Sequence, residues 1–273
     1  MCSSSRKALF ALALLVCPAA EAGELRVCAD PNNLPFTNEK GEGFENRIAG
    51  LVAQDLGADV SYLWYAQRRG FLRETLKAKR CDIVMGLPSN LEGVRTTAPY
   101  YRSSYVFIVR AGDPLPKTFD DPILRERRVG VQLVGDDGWN TPPAHALARR
   151  GIIDNVRGYT LYGDYSEPDP PSRIVRAVAE GEIDIAVAWG PMAGYFAPRE
   201  KVRLELAPVR PAFDGPQLPM VWDISAAVRK EDDALRQRID DILERRRPEI
   251  DAILAEFGVP RLDTSVHRTA GAP

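Results

Sequence analysis

Residues 81–86 read CDIVMG, and residues 183–188 read IDIAVA. Each stretch follows a helical segment, ending in Lys79-Arg80 in one case and in Glu180-Gly181-Glu182 in the other. Each also sets an Asp (Asp82, Asp184) at the head of a near-continuous apolar run. Such runs mark strands covered on both faces, the usual situation in α/β sheets. The echo predicts two lobes of similar plan rather than one sheet.

Outward from the first run, Leu25–Ala29 is a short strand that ends in the turn-rich loop Asp30-Pro31-Asn32-Asn33. Apolar spacing predicts a helix over 44–56, closed by Gly57, then a strand over 60–65 and a helix over 70–79. Around the second run, strands are expected at 105–110 and 128–134. Helices are expected from Thr141-Pro142-Pro143 and over 173–180. The chain closes with a strand over 222–229 and amphipathic helices over 231–244 and 248–257. The simplest partition is a first lobe of residues 24–109 plus 212–262, with a second lobe, 111–208, inserted into it. Two extended crossings, near Phe107–Arg110 and Glu205–Val209, form the hinge, and 263–273 is a frayed tail. The expected fold class is therefore α/β and bilobed, with two parallel-type sheets flanked by helices. Ligands then belong beyond the carboxyl ends of the strands, in the cleft.

The N-terminus reads as an export signal. Arg6 and Lys7 precede a short apolar run, and Ala20-Glu21-Ala22 offers a cleavage site after Ala22, so that 1–22 is a signal peptide. Cys17 gives a rival reading as a lipid-attachment site, but Val16 is large for the position before such a cysteine. No other stretch reaches the length of a membrane span. The whole chain of 273 residues holds 36 Lys and Arg against 38 Asp and Glu, a net charge of -2. That balance argues against a nucleic-acid binder. Cleavage leaves Cys28 and Cys81, which in an oxidising compartment either pair or stay as two separate buried thiols. With only His145 and His267 as histidines, a zinc cluster is not expected.

Three segments are more particular: LRVCADPNNLPF, CDIVMGLPSN and TTAPYYRSSYVFIVR. Together they resemble the type II periplasmic solute-binding proteins. VGVQLVGDDGWNTPPAHALARRGIIDNVRGY, Tyr162-Gly163-Asp164-Tyr165 and IDIAVAWGPMAGYF resemble one branch of them, the J proteins associated with quinoprotein methanol dehydrogenases (MxaJ/XoxJ-like). The resemblance spans about 25–260. It implies a periplasmic, non-enzymatic protein that binds a pyrroloquinoline quinone-dependent alcohol dehydrogenase, with its cytochrome c as a further partner. Its role would be assembly, maturation or activation. Any quinone cofactor would belong to the partner, and none is expected here.

The residues test the rival reading, a receptor of an ABC importer for a small polar or acidic ligand. Amino-acid-binding relatives need a cation for the ligand carboxylate and an anion for its ammonium. Arg95 lies near the expected cation position and could grip a carboxylate bidentately. Pro88, however, sits where a donor would help, and Trp189-Gly190-Pro191 stands where an Asp is expected. A Trp meets a cation only through its ring face.

Trp64, Tyr65, Tyr100, Tyr101, Tyr165 and Trp189 instead fall near predicted strand ends, as an aromatic cleft gripping a polypeptide would require, or as core filling. Of these, Tyr100-Tyr101-Arg102 is the segment most expected to be exposed. Asp30, Asn32 and Asp164 complete the expected cleft. Asp30 and Asp164 are also the groups that an enzyme on this fold could use as acid or base. The acidic loop at Asp164, Glu167 and Asp169 matches no calcium-loop spacing, and no nucleophile-elbow, zinc-helix or phosphate-loop motif occurs.

Overall fold

A computed structural model of the chain describes residues 23–133, 140–161 and 165–262. The segment expected to be a signal peptide, 1–22, the segment expected to be a frayed tail, 263–273, and Asp164 lie outside them.

In chain order the strands are β1 (Gly23–Ala29), β2 (Asn32–Asn33), β3 (Thr37–Asn38), β4 (Ala58–Trp64), β5 (Val84–Pro88), β6 (Arg95–Thr96) and β7 (Tyr101–Arg110). They continue with β8 (Val129–Gln132), β9 (Val156–Tyr159), β10 (Ile185–Trp189), β11 (Leu204–Pro208) and β12 (Val221–Val228). The helices are α1 (Phe44–Leu56), α2 (Phe71–Glu74), α3 (Pro142–Arg149), α4 (Arg173–Ala179), α5 (Gly190–Phe196), α6 (Asp233–Arg245) and α7 (Arg247–Glu256).

The fold is the bilobed α/β type. β1 and β4 run parallel, and Val27 bridges Ile83 to join them to the segment leading into β5. β12 then pairs antiparallel with β5, β6 and β7. In the second half, β8 lies parallel to both β9 and β10. β7 belongs to both halves. Tyr101–Ser104 pair with β12, and Tyr105–Val109 pair with β10. β11 lies antiparallel along Val106–Arg110, so two strands run side by side where the sequence places the crossings.

α1 packs Phe44, Ile48, Val52 and Ala53 into the larger apolar cluster. Its last turn closes at Gly57, whose φ of 67° is the left-handed conformation that glycine adopts without a Cβ clash. The expected helix over 70–79 is corrected. α2 is four residues long. The Thr75 hydroxyl donates to the Phe71 carbonyl at 2.5 Å, and Lys77 N–H reaches back five residues to Leu72, so the chain winds on as turns. The strand expected from 105 is also longer, because β12 supplies partners for Tyr101–Ser104 that no local pattern announces.

Candidate functional site

The carboxyl ends of β1 and β4 lie side by side, with Ala29 opposite Trp64 and Tyr65 N–H donating to Ala29 O at 2.9 Å. The chain leaves both strands at this edge and forms the floor of a cavity of about 720 Å³. The cavity is lined by Pro31, Asn32, Glu39, Trp64, Tyr65 and Arg68 from the first half and by Tyr165 from the second.

Asp30 organises that floor. Its Oδ1 accepts from Asn32 N–H at 2.9 Å, its Oδ2 accepts from Gln67 N–H at 2.7 Å, and its carbonyl accepts from the Thr37 hydroxyl at 2.7 Å. The side chain is buried, and burial raises its pKa even though the Gln67 and Asn32 amides and Arg68 oppose the shift. Asp30 therefore ties two loops together. Asn32 Nδ2–H donates to the Glu167 carbonyl at 2.9 Å, a direct bond across the cleft. Tyr165 is 51% exposed. Its phenol is pushed up to about 12, by desolvation first and then by the Asp30 charge, with Arg68 opposing. Trp64 stacks on Tyr62 with ring centroids 4.5 Å apart, and Tyr65 leans on Phe71. Two large, stiff aromatic surfaces are thus held at the mouth by packing behind them.

Asp30, Asn32, Trp64, Tyr65 and Tyr165 are thereby brought together. The other expected residues sit elsewhere. Tyr100 and Tyr101 are buried, which corrects their expected exposure. The Tyr100 hydroxyl donates to Met85 O at 3.0 Å, and Tyr101 meets the edge of Phe44 under α1. Arg95 lies exposed on β6 beside Val228, and its charge acts on Asp233 of α6, not on the cavity. Pro88 is opposite Ile224 in the sheet. Trp189 ends β10, packs on Tyr105 at 5.3 Å and joins the two main apolar clusters. Gly190 follows it because a Cβ there would stand 2.5 Å from Ser104 O.

Sequence reading missed Arg68 and Glu39, the two exposed charges of the cavity wall. The doublet Arg68-Arg69, a few residues past the end of β4, was the available signal. It also missed Glu45, a buried carboxyl in the first turn of α1 whose Oε1 lies against Gly86 and which burial pushes up to about 8. Cys28 and Cys81 form a disulfide between β1 and the segment before β5. No helix among the described residues is long and apolar enough to cross a membrane.

A cleft at the carboxyl ends of strands between two α/β lobes defines the class of type II solute-binding folds. Residues 25–259 match the bacterial extracellular solute-binding proteins, family 3, and the chain belongs to that family. It is 38% identical over 259 residues to protein MoxJ of Methylorubrum extorquens, covering 90% of this chain and 84% of that one. The crystal structure of periplasmic binding protein XoxJ from Methylobacterium extorquens AM1 is similar with a TM-score of 0.71 and 34% identity, over 88% of this chain and 99% of that one. MxaJ from Methlophaga aminisulfidivorans MPT is similar with a TM-score of 0.75 and 27% identity, over 87% of this chain and all of that one (100%). These relatives place the chain in the branch that its motifs resemble.

Proposed function

We propose that the protein is a periplasmic accessory factor of a pyrroloquinoline quinone-dependent methanol dehydrogenase. It would act after removal of residues 1–22 and work by binding, not by catalysis. The observation that carries this reading is the composition of the cleft. Trp64, Tyr65 and Tyr165 line it, and Arg68 and Glu39 stand exposed at its wall. Arg95, the cation that an amino-acid carrier would use, lies exposed on β6 beside Val228 and does not line the cavity. Trp189-Gly190 replaces an ammonium partner with a ring packed on Tyr105. Rigid amphipathic aromatics with polar neighbours suit a polypeptide contact. The quinone cofactor belongs to the partner, and the cytochrome c of the same system is a second candidate partner. Hinging of residues 24–109 with 212–262 against 111–208 would open and close the grip.

The test is affinity purification of the tagged mature protein from its own periplasm. Recovery of a quinoprotein dehydrogenase or its cytochrome, lost in a Trp64→Ala, Tyr165→Ala double variant, is expected. Recovery of neither, together with thermal stabilisation by small acids, would replace this reading with that of a solute receptor.

A further inference from the structure

The segment 68–80 holds six cations, Arg68, Arg69, Arg73, Lys77, Lys79 and Arg80, and one carboxylate, Glu74. Its net charge is +5 against -2 for the whole chain, so the remaining residues carry -7. All six cations are exposed. The other side of the same segment is apolar and sealed. Phe71 and Leu76 pack with Cys28, Cys81, Val84, Leu87 and Val94, and Cys81 is tied to β1 by the disulfide. The segment is wound tightly, with Phe71 N–H on Arg68 O, Lys77 N–H on Leu72 O and Arg80 N–H on Thr75 O. One face is therefore fixed in the core and the other presents cations.

Within the segment, the single carboxylate is engaged by one of the six cations. Glu74 is taken up by Arg73 at 2.7 Å. Lys77 and Lys79 make no ion pair among the described residues. Lys79 stands at φ 58°, with its N–H on Leu76 O and the next N–H on Thr75 O. This is the left-handed closing position that glycine fills most cheaply. A lysine there keeps its charge at a cost in backbone strain. At the other end, Arg68 lines the cavity with Trp64 and Tyr65, so strip and cleft are one surface.

We propose that the exposed face of residues 68–80 is an electrostatic docking strip for the acidic surface of a protein partner, which it steers toward the aromatic cleft. The proposal rests on the protein-binding reading above and adds the partner's chemistry. A concentrated positive face on an otherwise negative molecule orients encounters with an acidic surface and repels other approaches. Continuity with a concave aromatic cavity favours a polypeptide over a flat lipid surface.

The experiment measures binding of the mature protein to the purified dehydrogenase of the same organism at 50 and 200 mM NaCl, to poly-L-glutamate, and to phosphatidylglycerol vesicles. For the dehydrogenase, affinity should fall about tenfold across that salt range. A Lys77→Glu, Lys79→Glu variant should weaken binding about tenfold and flatten the salt dependence. A Lys201→Glu, Arg203→Glu variant, altered at exposed cations of the second lobe, should bind as the parent does. Lys79→Gly separates folding from binding. It should raise Tm by about 3 °C while weakening binding about threefold.

Dehydrogenase binding that is indifferent to the strip variants overturns the strip and leaves the partner reading standing. If the dehydrogenase does not bind the parent protein at all, the partner reading fails, and poly-L-glutamate then decides the strip. Binding that the Lys77→Glu, Lys79→Glu variant abolishes supports it, and no binding overturns it. Vesicle binding through these lysines without polypeptide binding also overturns it, in favour of a lipid surface.

Discussion

Asp82 and Asp184 occupy equivalent places in the two halves of the molecule. Each lies 56 residues after an arginine of the neighbouring strand segment, Arg26 for Asp82 and Arg128 for Asp184. Each accepts from that arginine's backbone N–H, at 3.2 and 3.0 Å, and from its guanidinium, at 2.7 and 2.8 Å. Each also returns its own N–H to the arginine carbonyl, at 2.7 and 3.0 Å. A second arginine completes each set, Arg229 for Asp82 and Arg110 for Asp184. The repeat legible in the two apolar runs is thus a repeat of strand-edge ion pairing.

Asp184→Asn should destabilise the fold by about 2 kcal/mol, because it leaves two arginines short of a partly buried partner. The Arg128 hydrogen bond, opposed by burial and aided by Arg110, holds the Asp184 carboxyl well below the usual carboxylate range. A depressed acid contributes stability above its unfolded pKa, about 4, and loses it as pH falls through the folded value. Urea unfolding at pH 7 and pH 3 checks both statements: the gap between parent and variant should narrow at pH 3.

Glu45 has the opposite sign. Burial raises its pKa to about 8, so the folded state holds a proton that the unfolded chain releases near 4.5. Its contribution is full below pH 4.5 and is lost as pH rises through about 8. The loss is on the order of 5 kcal/mol across that window. Glu45→Gln keeps the shape and removes the titration. Its Tm should exceed the parent's at pH 8 and approach it at pH 5. Parallel Tm curves for the two proteins would rule out a buried, protonated Glu45.

Replacing Cys28 and Cys81 with Ser should cost about 4 kcal/mol, the chain-entropy expectation for a bridge spanning 53 residues. Denaturant midpoints under non-reducing conditions measure it. The parent protein treated with reductant should behave like the variant.

Gly190→Ala should cost about 2 kcal/mol, since its new methyl must displace the backbone of β7 at Ser104, where that strand passes from one sheet to the other. Thermal unfolding of the single variant is sufficient to test this.

The alternation of strands and helices, the bounds of α1 and the twin apolar runs were legible because periodicity and glycine stops are local properties. The motifs carried the family in the same way. What linear pattern lacked was partner information. It did not show that β12 draws Tyr101 into a ladder and buries its ring under α1. Nor did it show that β6 pairs at Val228 and leaves Arg95 exposed, outside the cavity lining. The helix ended at Thr75 although the apolar spacing continued, because the Thr75 backbone, at φ -118° and ψ -87°, leaves the helical conformation. By itself the sequence determined the class of fold, the lobe repeat and the presence of aromatics near strand ends. Only the tertiary structure decided which aromatics reach the cleft and that Arg68 joins them. Exposure depends on which strand or helix lies across a side chain, and that neighbour comes from a distant part of the chain.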